Sequence, residues 1–183
     1  MIYTKTITLK NGQTALLRGA DGSDTKEMLE LFCRVHGETD YLTSYADECT
    51  LTEEGEATYL AAKAESENEI ELFAFVDGKA VGSAGITAHG KKFKVKHRAT
   101  FGVSVCKDYW GLGIGRALTE ACIECAKSAG YKQLELEVVA ENLAAVSLYR
   151  SVGFVEYGRN PKAFFSRRGV WQENLLMRLE LDQ

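Results

Sequence analysis

The chain has 183 residues, a length that suits one domain able to bury a substantial core without disulfides or metals. Apolar residues make up 45% and charged residues 26%, and the formal net charge is -4 with a pI near 5.5, a balance that argues against a dedicated nucleic-acid binder. The opening "MIYTKTITLK" lacks the apolar stretch of a secretory leader and no apolar run approaches the ~18 residues of a membrane span; five scattered cysteines (Cys33, Cys49, Cys106, Cys122, Cys125) point to a reduced, cytoplasmic chain.

No repeat, low-complexity tract or linker divides the sequence, so residues 1–183 read as one domain. "KTITL" and "TALLR" flank Asn11-Gly12, a strong hairpin signal, which predicts strands over residues 5–9 and 14–18. Met28, Leu31, Phe32 and Val35 then recur at helical spacing, with Asp24 and Glu27 placed like a capping box. Thr52 is placed to cap a second helix with an inner stripe of Ala57, Leu60, Ala61 and Ala64. Between these helices lies the polar and aromatic loop "HGETDYLTSYADE". The period then changes. "IELFAFV", "KAVGSAGITAH" and "VKHRATFGVSV" predict three consecutive antiparallel strands, turning at Asp77-Gly78 and at "HGKK".

A helix follows over residues 114–129, with Leu118, Cys122, Cys125 and Ala129 on its inner stripe and Gly130 closing its end. "KQLELEVV" predicts a strand, "NLAAVSLYRSV" a helix ended by Gly153, and "GFVEYGR" and "VWQENLLMRLEL" two final strands. This mixed order predicts an α+β fold, not an alternating doubly wound sheet. Cys122-x-x-Cys125 has no second Cys pair or His pair to complete a metal site, so it reads as core. "KKFKVKHR" reads as a strand with one charged, solvated face, not as a nucleic-acid patch.

The stretch "YWGLGIGRAL" places three glycines between a strand and a helix. Glycines admit a ligand close to the backbone, and a helix start offers unpaired N–H groups and the positive end of the helix dipole. Residues 111–116 therefore suit an anion cradle, with Arg116 adding charge. The G-x-G-x-G spacing is not the G-x-G-x-x-G dinucleotide fingerprint, and the G-x-x-x-x-G-K-(S/T) phosphate loop is absent.

"DYWGLGIGRAL" resembles the acetyl-CoA signature of the GNAT superfamily of N-acetyltransferases, and "NLAAVSLYRSVGF" is similar to that family's second motif, N-x-x-A-x-x-(L/F)-Y-x-x-x-G-F. One helix and one strand separate the two motifs, as in the family. Trp110 departs from the pattern, standing at the usual Gln/Arg position.

The resemblance implies a GNAT fold, a mostly antiparallel twisted sheet flanked by helices and splayed at the cofactor cleft. It also implies acetyl transfer from acetyl-CoA to a primary amine of a small molecule, peptide or protein. Residues implied for acetyl-CoA are Val103, Ser104 and Val105 along the pantetheine arm. Trp110, Gly111, Leu112, Gly113, Ile114, Gly115 and Arg116 fall around the pyrophosphate, and Asn142, Ala145 and Tyr149 on the second motif. Asn142 and Tyr149 lie seven residues apart, on one helical face. Tyr149 is implied as the general acid that protonates the leaving thiolate.

Many relatives carry Glu where this chain has Thr100, which cannot act as a base. Glu137, His97, Glu38, Asp40 or a relayed water remain open for that role, and Glu137 is carried forward as the catalytic expectation. No metal is implied. Dimers are frequent in the family, so a homodimer is compatible with the reading. The competing reading is a non-catalytic acyl-CoA-binding or sensing module of the same fold.

Overall fold

The computed structural model describes residues 1–181. Eight strands form one sheet in the order β1-β2-β3-β4-β5-β6-β8-β7. They are β1 (Thr4–Thr8), β2 (Thr14–Gly19), β3 (Ile70–Val76), β4 (Lys79–Ala88), β5 (Arg98–Val105), β6 (Gln133–Val139), β7 (Val155–Phe165) and β8 (Trp171–Glu180). Four helices accompany them: α1 (Thr25–Glu38), α2 (Glu53–Glu65), α3 (Ile114–Ser128) and α4 (Leu143–Ser151). The architecture is α+β, as the order of elements predicts.

Local chemistry accounts for the tight connections. Gly12 turns β1 into β2 at φ +86°, and Asp77 and Gly78, at φ +49° and +76°, form the two left-handed positions that a two-residue hairpin needs between β3 and β4. All pairings are antiparallel except β5 with β6, which run parallel and are joined through α3.

Apolar clusters cover both sheet faces. One gathers Leu118, Ala121 and Cys122 of α3 with Ala84, Ile86, Phe101 and Leu134 of the sheet. The other, smaller, joins Leu31 and Val35 of α1 and Leu60 of α2 to Phe73. Cys122 and Cys125 lie in the larger cluster, where burial raises both thiol pKa values.

The structure departs from the sequence expectations at three local points. The capping box uses Asp21 and Asp24, not Asp24 and Glu27: Asp21 accepts from the Ser23 N–H at 2.8 Å, and Asp24 accepts from the Asp21 N–H at 3.0 Å. Asp24 is drawn away from capping α1 by a bidentate pair with Arg18 at 2.6 and 2.7 Å.

On α2 the inner face is Glu56, Leu60 and Lys63, while Ala61 and Ala64 are exposed. Alanines bury too little area to fix the helix rotation. The Lys63 ammonium instead donates to Glu69 (2.9 Å), the Ile86 carbonyl (2.9 Å) and Thr87 Oγ1 (2.8 Å).

The basic run does not join the sheet either. β5 begins at Arg98, and residues 91–97 form turns in which Val95 and Lys96 both donate to the Lys92 carbonyl at 2.9 Å. Residues 99–105 take β4 up to Gly82 as their partner and leave no strand opposite the lysines.

Candidate active site

The parallel pair β5–β6 is where the sheet opens. It pairs only Arg98, Thr100 and the residue between them with Gln133, Leu134 and Glu135, and residues 101–105 continue without a β6 partner. The side these residues present follows from the ladder. His89 donates to the Arg98 carbonyl at 3.1 Å and Cys106 to the Val81 carbonyl at 2.9 Å. Even-numbered residues of β5 therefore turn their backbone groups to β4. Phe101, Val103 and Val105 turn theirs toward the opening, where an extended ligand arm can hydrogen-bond to them. Val105 already uses its carbonyl to accept from Trp110 Nε1 at 2.6 Å, which fixes the indole at the lip of the opening.

At the end of β5 the chain passes through a short 3-10 turn, residues Lys107–Tyr109, into the glycines. Gly111 and Gly113 adopt φ +75° and +104°, and a Cβ at either would meet nothing within 4 Å. Their role is conformational: they swing the chain so that α3 begins at Ile114. The first intrahelical donation is from Ala117 to the Gly113 carbonyl at 3.0 Å, which leaves the N–H groups of Ile114, Gly115 and Arg116 outside the helical ladder. Leu112 and Ile114 send their side chains into the core and can offer only backbone. The Arg116 guanidinium is exposed and bonded to Ser151 Oγ (2.7 Å) and Glu120 (3.4 Å). This is an anion cradle at the head of a helix, beside an open strand edge.

The second sequence motif meets the same opening from the other side. Asn142 is the N-cap of α4, not part of its helical face, and its carboxamide oxygen accepts from the Ala145 N–H at 3.3 Å. Tyr149 points inward, only 7% exposed. Its ring packs edge-on against Phe101, the first β5 residue beyond the last β5–β6 pair, with centroids 6.1 Å apart, and lies 5.9 Å from Phe154. Burial pushes its hydroxyl pKa up to about 12. Tyr149 thus sits beside the opening as a neutral phenol.

On the opposite face, between the sheet and the pair α1–α2, lies a groove of about 350 Å³. Its floor follows from strand register. Glu71 of β3 stands opposite Gly85 of β4, which stands opposite Gly102 of β5. Ser83 and Ser104 pair in the next row, and Thr87 and Thr100 on the other side. The Glu71 carboxylate leans over Gly85: a Cβ there would fall 2.2 Å from Glu71 Oε2. Gly102 leaves its own side-chain position empty, with nothing within 4 Å of a Cβ. A buried carboxylate therefore faces the open edge of β5 across about one strand spacing, ~5 Å.

Glu71 is 7% exposed, and Tyr59 Oη donates to it at 3.3 Å. Burial raises its carboxyl pKa to about 7, against the opposing pull of Lys63, Ser83 and Tyr59. A carboxylate poised there can take a proton at neutral pH. Sequence reasoning missed Glu71. The available signal was an acidic residue inside the otherwise apolar run "IELFAFV".

The other base candidates lie elsewhere. Glu137 is on β6, across the opening, exposed and outside the groove lining; it accepts from Asn174 Nδ2 at 3.3 Å. His97 belongs to the turns before β5, its carbonyl accepting from Lys132 at 2.8 Å. Thr100 lines the groove, with Oγ1 3.3 Å from His89 Nε2.

The acidic loop after α1 borders a second depression of about 450 Å³, and its acids are spoken for. Glu38 accepts from the Lys107 N–H at 2.6 Å and from Arg34 at 2.9 Å. Burial pushes its carboxyl pKa up, but these donors outweigh it and hold the group below its ordinary value. Asp40 pairs with Arg168, and Asp47 and Glu48 with Arg167, whose guanidinium also stacks 4.2 Å above the Tyr45 ring.

A sheet parted beside an anion cradle, with a phenol on one face and a buried carboxylate on the other, is the architecture of an acyl-group transferase. Residues 27–154 match the model of the Acetyltransferase (GNAT) family, and the chain belongs to that family. Among solved structures, it is similar to an acetyltransferase of the GNAT family from Streptococcus pneumoniae, with 34% identity, a TM-score of 0.87, and coverage of 91% of this chain and 99% of that one. It shares its fold with yncA of Salmonella typhimurium, solved with acetyl-CoA, at a TM-score of 0.80 and 21% identity over 91% of this chain and 94% of that one.

Among curated proteins, it is 46% identical over 56 residues to the [Ribosomal protein bS18]-alanine N-acetyltransferase of Escherichia coli (strain K12), a match covering 31% of this chain and 38% of that protein. It is 30% identical over 88 residues to the L-amino acid N-acyltransferase MnaT of the same strain, covering 48% of this chain and 51% of that protein. The chain thus spans about half or less of the length of these curated relatives. No helix among the described residues is long and apolar enough to cross a membrane.

Proposed function

We propose that the chain is an acetyl-CoA-dependent N-acetyltransferase acting on a primary amine, with Glu71 as general base and Tyr149 as general acid. The observation that carries this reading is the buried Glu71 carboxylate, with its pKa near 7, facing the unpaired edge of β5 through a gap kept clear by Gly85 and Gly102. Acetyl-CoA supplies the acetyl group as a thioester. The backbone groups of Val103 and Val105 would receive its extended arm and the N–H groups of residues 111–116 its pyrophosphate, with Trp110 and Arg116 at the rim. Ser104 pairs with Ser83 on the groove floor and faces the acceptor side. Asn142 would act through the cap that sets the start of α4, holding Ala145 and Tyr149 in place.

Glu71 takes a proton from the acceptor ammonium, so that a neutral amine attacks the thioester carbon. As the carbon–sulfur bond breaks, Tyr149 gives its phenolic proton to the departing sulfur; the proton shed by the new amide nitrogen restores the phenol, and Glu71 releases its own to solvent. The raised pKa values of the two groups suit these directions: Glu71 gains basicity and Tyr149 holds its proton through the neutral range. Helices α1 and α2 wall the groove on one side, and the burial of Glu71 strengthens its ion pair with an incoming ammonium. The five free thiols suit a reducing cytoplasm as the working compartment.

Thiol release from acetyl-CoA with a panel of primary amines tests the reading. Turnover is expected, with a loss of about 10²-fold or more in Glu71→Gln and activity within about threefold of wild type in Glu137→Gln. If Glu137→Gln abolishes turnover and Glu71→Gln does not, the base is Glu137. Tight CoA binding with no turnover on any amine would identify a sensor instead.

A further inference from the structure

The acceptor preference of this protein rests on the reading of the Glu71 groove as the amine side of the proposed reaction. The groove wall, from α1 and the loop after it, is apolar: Met28, Leu31, Phe32, Val35 and Leu42. Its floor offers glycines and the hydroxyls of serines and threonines. Among the described residues that line it, there is no arginine or lysine. The adjacent Lys63 is committed to three acceptors at 2.8–2.9 Å. His36 holds Nδ1 2.9 Å from the Phe32 carbonyl. The one carboxylate among the described residues that line the groove is that of Glu71.

Two exclusions follow from charge alone. A carboxylate attached beside the reacting amine would come within about a strand spacing of Glu71, with no arginine or lysine in the groove lining to receive it. A second ammonium further along the acceptor would have to shed its water against the apolar α1 wall, and the acids beyond it, Glu38, Asp40, Asp47 and Glu48, already pair with Arg34, Arg168 or Arg167. An uncharged apolar body suits the α1 wall in both respects.

We infer that the acceptor is a primary monoamine with an apolar, uncharged body, and that free α-amino acids and polyamines are rejected. Phenethylamine and L-phenylalanine differ only in the carboxylate and provide the probe, with spermidine as the polyamine. At pH 8 the amino acid has the larger share of free amine, which works against the expected order. In acetyl-CoA thiol-release assays, kcat/KM for phenethylamine should exceed that for phenylalanine, and that for spermidine, by roughly 100-fold. Leu42→Arg adds a cation to the wall and should shift the ratio toward phenylalanine by about tenfold. Equal or better use of phenylalanine or spermidine, lost on Glu71→Gln, overturns the inference while leaving the base assignment standing. Turnover that survives Glu71→Gln overturns both.

Discussion

Replacing Glu71 by glutamine separates the catalytic from the structural consequences of a buried carboxylate. Glutamine keeps the shape over Gly85 and the capacity to accept from Tyr59, and it cannot ionise. In the unfolded chain the carboxyl has its ordinary pKa of 4.5; in the fold burial holds it at about 7. The difference corresponds to about 3 kcal/mol. The sign follows from which state binds the proton. Below pH 4.5 both states are protonated and the group leaves stability unchanged. Between pH 4.5 and 7 the unfolded chain releases this proton while the buried carboxyl keeps it, so stability falls across that window and the full amount is lost above pH 7.

Glu71→Gln is free of that loss. It should melt with the wild type at pH 4.5 and above it at pH 9, by roughly 6–12 °C for a chain of this size. Its activity should move the opposite way. Wild-type kcat/KM should rise through a limb near pH 7, and the variant should lose the limb together with about 10²–10⁴-fold of the rate. Calorimetry and a pH–rate profile on the two proteins measure both. A melting difference independent of pH, or a limb near 7 that persists in the variant, would refute the placement of a titrating carboxylate at this site.

Three further outcomes follow from the same geometry. Gly85→Ala places a Cβ 2.2 Å from Glu71 Oε2 and must displace the carboxylate; kcat/KM should fall by about tenfold or more while circular dichroism stays native. Tyr149→Phe removes a hydroxyl but keeps the ring contacts with Phe101 and Phe154; turnover should drop about 10²-fold with a melting temperature near that of the wild type, and unchanged turnover would remove Tyr149 from the mechanism. Gly113→Ala imposes a side chain at φ +104° and should cost about 1–2 kcal/mol of stability and raise the KM for acetyl-CoA more than that for the amine, as separate titrations of each substrate would show.

The cradle and the helix proposed for the cofactor side were legible in the chain because their determinants are local. Gly111 and Gly113 set a turn, the head of α3 presents its own N–H groups, and Tyr149 lies on a short helix whose spacing is visible residue by residue. These elements are read within a dozen consecutive residues, where backbone preference and helical period suffice. The parting of β5 from β6 was expected from family resemblance, and the pairing of only three residues on each strand shows it.

The acceptor side depended on contacts between distant segments. Ala61 and Ala64 carry too little apolar area to orient α2, so the ammonium of Lys63 and its partners, Glu69 just before β3 and Ile86 and Thr87 on β4, decided the rotation. The acids Glu38, Asp40, Asp47 and Glu48 pair with arginines 34, 167 and 168, two of which come from a segment more than a hundred residues away. Glu71 is an isolated acid in an apolar strand until the sheet aligns it with Gly85 and Gly102, residues 14 and 31 positions downstream. Its raised pKa and its opening toward β5 belong to that alignment, because burial and empty side-chain positions are supplied by neighbouring strands, not by its own segment. By itself the sequence determined which group the protein is built to carry. Strand register decided which carboxylate is buried in the groove proposed for the amine.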